Sequence, residues 1–292
     1  SQSKKGGDAV RVLDIFSGIG GFSLAAKWAG METAAFCEID SFCQKVLKKN
    51  FPGVKIYDDV RTLTKEQLEK DGVIDDSRTI DLICGGLPCQ PFSFAGKQRG
   101  QEDDRYLWPE MFRLIQELRP AWVVGENVVG IVRLALDDII ADLESEGYTV
   151  RTFVLPASAV GAPHRRDRVW IVAHADSPGL QGRPESGDTG PDRKRNHQPA
   201  ERCGQLHGGT DSSHQAGVGG DLARISPGVD RHRWPALMGN PQHPWEPSRV
   251  ATGIKHRKDR LKALGNTIVP QVAYQILRRI MEVEKSYAAQ RI

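Results

Sequence analysis

The chain has 292 residues, enough for one large domain and a smaller one, and its 40 Lys and Arg nearly balance its 37 Asp and Glu. A net charge of +3 permits nucleic-acid binding without requiring it. The five cysteines lack disulfide or zinc-site spacing, and no apolar run reaches membrane-spanning length. These features exclude a disulfide-stapled secreted scaffold and a membrane protein, so we expect a soluble, cytoplasmic protein whose residues 1–9 are a flexible leader.

The first predicted elements are those of a nucleotide-binding unit. Residues 10–16 form a β-rich run, residues 17–21 a glycine turn, and residues 22–30 a helical pattern. A second strand over residues 33–37 leads to Glu38, about twenty residues after the turn, the separation at which an acid meets ribose hydroxyls in such folds. A glycine turn alone is weak evidence, and it leaves cofactor binding open.

A single cysteine follows the next buried strand. Residues 81–84 are a short apolar run, and we expect the glycine pair at 85–86 to end it. Pro88 and Pro91 fix the backbone on both sides of Cys89. This arrangement sets one thiol on a stiff loop at the carboxyl end of a strand, where open α/β sheets place their chemistry. A lone cysteine is more often a buried core residue, so both interpretations stand at this point.

The next elements place an acid near that loop. Residues 94–105 form a polar connection, long enough to indicate a functional loop. A helix over residues 107–118 and a strand over residues 121–125 follow, and the strand ends at Glu126-Asn127-Val128. We expect Glu126 to lie at the same sheet edge as the thiol and the first acid. A solvated helix cap is the alternative interpretation.

The remaining elements of this half are a helix over residues 131–143 and strands over residues 148–155 and 169–172. Three arginines lie just before the last strand, within residues 161–168. Three basic residues around an acid are usually a solvated charge run.

Taken together, these motifs resemble those of the DNA (cytosine-5)-methyltransferases, in that family's order. The segments that carry the resemblance are Phe16 to Gly21, Glu38-Ile39, Asp58-Asp59-Val60, the Pro-Cys-Gln-Pro-Phe-Ser run around Cys89, Glu126-Asn127-Val128, Arg166-Asp167-Arg168, and residues 259–271. The resemblance covers about residues 10–173 and 249–282.

The resemblance implies an α/β fold. The expected architecture is a doubly wound, mostly parallel, Rossmann-like sheet of the S-adenosylmethionine-dependent methyltransferases, with a small, loop-rich target-recognition domain. The catalytic and cofactor-binding domain would span residues 10–175 and the target-recognition region residues 176–248. Residues 249–292 would return to the catalytic domain, with the last helix packed beside the first.

The resemblance also implies site residues. Cys89 would be the nucleophile, Glu126 the acid at the cytosine, and Arg168 the charge that favours the thiolate, with Arg166 in the same catalytic set. Glu38 would hold the ribose and Asp59 would accept from the adenine amino group. The cofactor-binding positions would be Phe16, Gly18, Gly20, Glu38, Ile39, Asp59, Val60, Pro88, Leu107, Asn266 and Thr267, and the DNA-backbone contacts Ser93, Lys97 and Arg105. His164 stands where the family has Gln.

The implied activity is transfer of a methyl group from S-adenosyl-L-methionine to C5 of a flipped-out cytosine, through a covalent bond between the cysteine and C6. The expected partner is double-stranded DNA, with the chain acting as a monomer beside a cognate restriction endonuclease. Two alternatives remain open: a tRNA cytosine-5 methyltransferase of the same fold, and a DNA-binding relative without catalysis.

Composition changes sharply over residues 176–233, which hold few large apolar residues and no aromatic one. Such a segment can barely bury a core, and we expect partial disorder until DNA binds. Its histidines and cysteine fit no standard metal spacing, so no metal site is expected.

Overall fold

The computed structural model describes residues 9–88, 106–175, 240–244 and 253–290. All of these residues belong to one compact unit. The predictions for Cys89, Ser93, Lys97 and Arg105, and for residues 176–233, lie outside the described residues. Within the described part of the chain, no helix combines the length and the apolar character needed to cross a membrane.

One sheet organises the described part of the chain, with seven strands in the order β3-β2-β1-β4-β5-β7-β6. The neighbours from β3 to β5 pair in parallel, whereas β7 runs antiparallel to both β5 and β6. The bounds are β1 Arg11–Ile15, β2 Glu32–Cys37, β3 Lys55–Tyr57, β4 Leu82–Gly86, β5 Trp122–Val128, β6 Tyr148–Leu155 and β7 Arg168–Ala175. The predicted mostly parallel, doubly wound sheet is confirmed.

Helices cover both faces of the sheet, each over an apolar layer. Met111, Leu114 and Ile139 belong to one layer, and Phe22 and Leu277 to the other. The helices are α1 Gly21–Ala29, α2 Ser41–Asn50, α3 Lys65–Lys70, α4 Trp108–Leu118, α5 Leu136–Ser145, α6 Arg257–Asn266 and α7 Pro270–Gln290, with 3₁₀ turns at Val129–Arg133 and Ala157–Val160. The expected packing of the last helix beside the first is present, because α7 contacts α1 extensively.

Strand β4 does not end where the glycine pair predicted. It continues through Gly85 and Gly86, and Gly85 pairs with both Ile15 and Gly125. A Cβ at Gly85 would lie 2.7 Å from the carbonyl oxygen of Ile15. The glycine therefore lets β1 and β4 approach closely at the sheet edge rather than stopping the strand.

One helix prediction was wrong in detail, and one helix was not predicted. The single helix expected over residues 131–143 is a 3₁₀ turn, Val129–Arg133, followed by α5. Most of the C-terminal motif, residues 259–271, lies in the unpredicted helix α6, which ends at Asn266. This helix buries Ala263 alone among its residues, so it has almost no apolar periodicity that would reveal it in the sequence.

The glycine turn before α1 depends on a carboxyl from β1. Gly20, the N-cap, has φ +86°, and a Cβ there would lie 2.7 Å from the Phe51 ring. Since glycine has no capping side chain, Asp14 caps from the strand: its Oδ2 accepts from the Ser23 backbone N–H at 3.1 Å and from the Ser23 hydroxyl at 2.7 Å. Complete burial raises the pKa of Asp14 to about 7.

Candidate active site

The strand register brings four distant chain segments to one edge of the sheet. Ile15 pairs with both Cys37 and Gly85, and Gly86 pairs with Glu126. The residues that follow these strand ends therefore meet at the carboxyl edge, the location of ligand sites in open parallel sheets. A cavity of about 330 Å³ lies there.

Most of the residues predicted for cofactor binding line this cavity. They are Phe16, Gly18, Glu38, Ile39, Asp59, Val60, Pro88, Leu107 and Asn266, and the predicted catalytic residues Glu126, Arg166 and Arg168 line it as well. Two predicted residues, Gly20 and Thr267, are not among the lining residues. Gly20 packs against Phe51, and the Thr267 side chain lies beside Gly21.

Glu38 is held by backbone donors at the end of β2. Its Oε2 accepts from the Gly18 N–H at 2.6 Å, and its Oε1 accepts from the Asp40 N–H at 2.7 Å. Burial raises the pKa of Glu38, while these two hydrogen bonds act in the opposite direction by stabilising the carboxylate. The carboxylate is thus fixed in place with lone pairs left for a ligand.

Asp59 has a partner that was not predicted. Arg61 holds its carboxylate with two nitrogens, Nε at 2.9 Å from Oδ1 and Nη2 at 2.7 Å from Oδ2. Hydrogen bonding to Arg61 lowers the pKa of Asp59. If Asp59 accepts a hydrogen bond from an adenine amino group, it does so while its carboxylate also bonds to Arg61.

Glu126 lines the same cavity and is held differently. Its Oε1 accepts from the Nε of Arg168 at 3.0 Å, and only 8% of the residue is exposed. Antiparallel pairing of β7 with β5 sets Arg168 opposite Val128, which places the guanidinium beside the acid. Burial raises the pKa of Glu126 to about 7, and the positive charges of Arg168 and Arg166 limit the rise.

Arg166 lines the cavity and donates to backbone carbonyls of a distant segment. Its Nη2 donates to the carbonyls of Gly265 and Thr267, each at 2.8 Å. The expected role of Arg168 beside the cysteine stays a prediction, because Cys89 is outside the described residues. In the structure, the Nε of Arg168 bonds to the Glu126 carboxylate.

Three further residues of the cavity wall were missed from the sequence. Lys262 of α6 reaches Asp40, with 2.9 Å between Nζ and Oδ2, and Asp40 also caps α2 by accepting from the Phe42 N–H at 2.9 Å. An acid just before a helix is a recognisable cap signal, whereas the long-range partner of Lys262 has no signal in the sequence. The third is Asn127: its Oδ1 accepts from the Val128 N–H at 2.7 Å, and its buried Nδ2 has no partner among the described residues.

No cluster of three or more metal-binding side chains occurs among the described residues. The histidines and the cysteine of residues 176–233 are outside that part of the chain, so their metal chemistry is untested.

The fold and the cavity together define a class of protein. A doubly wound parallel sheet with an antiparallel seventh strand, a glycine turn before α1 and an acid at the end of β2 are those of a Rossmann-like methyltransferase. A family model described as C-5 cytosine-specific DNA methylase matches residues 10–215. The chain belongs to this family, whose cofactor is S-adenosyl-L-methionine, and the resemblance read from its motifs is confirmed.

Individual relatives agree with this family. The Type II methyltransferase M2.BsuMI of Bacillus subtilis (strain 168) is 36% identical over 173 residues, which are 56% of this chain and 42% of that protein. The Type II methyltransferase M.HhaI of Haemophilus parahaemolyticus is 30% identical over 177 residues, 59% of this chain and 51% of that protein. A solved structure of a Spodoptera frugiperda DNMT2 mutant shares 25% identity over 61% of this chain and 54% of its own, with a TM-score of 0.49. The chain thus spans about half the length of these relatives.

Proposed function

We propose that this chain transfers a methyl group from S-adenosyl-L-methionine to C5 of cytosine in double-stranded DNA. The observation that carries the proposal is the buried Glu126 carboxyl, which has a pKa of about 7 and lines the same cavity as Glu38. An acid that can hold a proton at neutral pH is suited to general acid chemistry, and a fixed carboxylate is suited to binding ribose hydroxyls. The cavity brings these two functions together.

The lining of the cavity supports the proposed cofactor. Asp40, Asp59 and Glu126 each have a cationic partner, whereas the Glu38 carboxylate bonds to backbone N–H groups, so its remaining lone pairs are available to ribose hydroxyls. The ring of Phe16 and the Ile39 side chain, which is 68% exposed, offer apolar surface for an adenine. When bound, S-adenosylmethionine supplies a methyl group on a sulfonium.

The chemistry assigned to the protein begins with covalent activation. C5 of cytosine is a poor nucleophile, so the Cys89 thiolate would form a bond to C6 and shift an electron pair toward C5 and N3. A protonated Glu126 would donate to N3 and accept from the exocyclic amine, which also selects cytosine. Once C5 carries the methyl group, loss of the C5 proton returns the electron pair to the ring and expels the cysteine sulfur.

The substrate must present an unstacked base. C6 is inaccessible in a stacked duplex, so the cytosine would be flipped out at a cost of about a few kcal/mol. Ser93, Lys97 and Arg105 are proposed to contact the DNA backbone, and residues 176–248 to read the sequence. The Type II names of the relatives motivate the further proposal that the chain acts beside a cognate restriction endonuclease. We also propose that it acts as a monomer.

A trapping experiment tests this proposal. A pool of random-sequence duplexes that carry 5-fluorocytosine is incubated with the protein, because fluorine cannot leave C5 as a cation and the reaction stalls at the adduct. We expect a complex that survives denaturation and requires S-adenosylmethionine.

Two variants and a second substrate make the result specific. Cys89→Ala should abolish the complex, whereas Cys84→Ala should retain it, since Cys84 is a fully buried thiol whose pKa burial raises well above its usual range. A complex with the Cys89→Ala protein would place the nucleophile elsewhere. Trapping on 5-fluorocytosine tRNA transcripts in place of duplex DNA would favour the RNA enzyme.

A further inference from the structure

Arg166 joins two parts of the active site that are far apart in the chain. One nitrogen, Nη2, donates to the carbonyl oxygens of Gly265 and Thr267, each at 2.8 Å. These carbonyls flank Asn266, which lines the cavity. The guanidinium therefore bonds to the backbone on both sides of Asn266, a residue that lines the predicted methyl-donor pocket.

The wall that carries Asn266 has little apolar anchoring of its own. In α6 only Ala263 is buried, and Leu261 and Leu264 are 57% and 60% exposed. Apolar burial, the main source of helix docking energy, is thus small for this helix. Just beyond the helix, Ile268 is buried in the apolar layer of Phe22 and Leu277. The helix itself is held over the cavity by polar contacts, which include the Arg166 bonds at its C-terminal end and the Lys262–Asp40 pair at 2.9 Å.

Along the chain, Arg166 is also close to Glu126, the proposed catalytic acid. It stands two residues before Arg168, whose Nε contacts Oε1 of Glu126 at 3.0 Å. The backbone of Arg166 has φ +44°, a left-handed conformation that is unfavourable for a residue with a Cβ. Strain of this kind persists where the surrounding structure fixes the backbone, so the short segment from Arg166 to Arg168 is held in one geometry.

We propose that Arg166 is a positioning residue that couples the methyl-donor pocket to Glu126. Its bonds to Gly265 and Thr267 fix the position of Asn266 relative to the Glu126–Arg168 pair. The methyl-donor pocket and the catalytic acid are thereby held in one arrangement. The inference rests on the proposed function for the identity of the pocket. It assigns Arg166 a different role from the catalytic one that the motif predicted, because the contacts of its Nη2 are to backbone carbonyls.

The test separates the hydrogen bonds of Arg166 to the two backbone carbonyls from the effect of its positive charge on the pKa of Glu126. Arg166→Met removes both, whereas Arg166→Lys keeps the positive charge near Glu126 but has a shorter side chain that cannot span to both carbonyls. The matched control is Arg165→Met, since the neighbouring arginine is 84% exposed and pairs with Asp167 at 2.9 Å. Calorimetry measures S-adenosylmethionine binding to the full chain, and single-turnover methyl transfer measures the dependence of rate on pH.

We expect Arg166→Met and Arg166→Lys each to weaken S-adenosylmethionine binding about tenfold, because the Asn266 wall loses the hydrogen bonds that hold it and only part of their energy is passed on to the ligand. Loss of the positive charge should raise the pKa of Glu126, so Arg166→Met should move the alkaline limb of the rate profile to higher pH. Arg166→Lys should leave that limb in place, and Arg165→Met should change neither quantity. A residue with a merely structural role would not give an affinity loss in both variants together with a shift of the alkaline limb in Arg166→Met alone.

Two results would overturn the inference. One is wild-type affinity in the Arg166→Met protein, and the other is an equal loss in Arg165→Met, which would indicate a general effect of charge. If Arg166→Met fails to fold, Arg166→Lys alone decides, through its affinity loss with an unchanged limb. Absence of S-adenosylmethionine binding in the wild-type protein would instead overturn the proposed function, and this inference with it.

Discussion

Glu38 and Glu126 are two carboxyls at one sheet edge, and the structure holds them in contrasting ways. Both are buried, each with 8% exposure, and burial raises the pKa of both. Glu38 accepts from two backbone N–H groups, whereas Glu126 bonds to the side chain of Arg168 on an antiparallel strand. Similar burial is therefore combined with neutral backbone donors at one site and with a charged side-chain partner at the other.

The difference teaches how one sheet edge supports binding and chemistry together. The backbone N–H groups of Gly18, in the turn after β1, and of Asp40, just after β2, are fixed by the fold, so the carboxylate of Glu38 is a preorganised acceptor. The protonation of Glu126 depends on the balance between burial and the charges of Arg168 and Arg166, which sets its pKa near neutrality. We expect Glu38 to govern affinity and Glu126 to govern rate.

Replacement of Glu126 should have the largest effect. Glu126→Gln keeps the size of the side chain but cannot exchange a proton, so methyl transfer should slow by about 100- to 10,000-fold, the usual contribution of general acid–base catalysis. S-adenosylmethionine affinity should stay within about twofold, because the Glu38 contacts are untouched. Single-turnover kinetics and calorimetry on the same protein give both numbers. A variant that lost affinity rather than rate would reverse the contrast between the two acids.

Replacement of Glu38 should give the complementary result. Glu38→Ala removes the preorganised acceptor, and S-adenosylmethionine binding should weaken by about 1.5–3 kcal/mol, as for a lost charge-assisted hydrogen bond. At saturating cofactor, the methyl-transfer rate should recover to near the wild-type value. Calorimetry checks the affinity, with Glu126→Gln as the cross-control. Unchanged cofactor affinity would remove Glu38 from the binding site.

The smallest effect should come from pH and should depend on Glu126. Since the proposed role needs the protonated acid and the pKa is about 7, the protonated fraction falls as pH rises through 7, approaching tenfold per pH unit well above it. The wild-type rate should carry this alkaline limb, and Glu126→Gln should lack it. Rates measured from pH 6 to 9 check the prediction. A limb that persists in Glu126→Gln would belong to another group.

The motifs predicted much of this site because they are local. The spacing from the glycine turn to Glu38 reflects a strand, a turn and a helix that any βαβ unit must repeat, so the acid was readable, while the resemblance of the motifs implied the fold class. Glu126 was readable as the residue that follows a short apolar run, although β5 itself continues to Val128. Strand ends in a parallel sheet meet at one edge whatever lies between them.

Contacts between distant segments could not be read in the same way. The hold of Arg166 on Gly265 and Thr267, and that of Lys262 on Asp40, join residues 99 or more apart in sequence, and neither changes the local hydrophobic pattern. Helix α6 was missed because it buries one residue only, so periodicity does not mark it. Strand β4 continues through Gly85 because the glycine leaves room for the Ile15 carbonyl of β1. This neighbour is on another strand, so the local sequence does not reveal it.

The sequence by itself determined the family, the order of the sheet-building elements, the acid that follows β2 and the acid near the end of β5. The family followed from the resemblance of the motifs. Local propensity and strand-end geometry are sufficient for the rest, since both act over a few residues. The tertiary structure alone decided the partners of those acids: backbone N–H groups for Glu38 and the Arg168 guanidinium for Glu126. Partner choice sets the charge of a buried carboxyl, and it depends on which distant segments the folded sheet brings into contact.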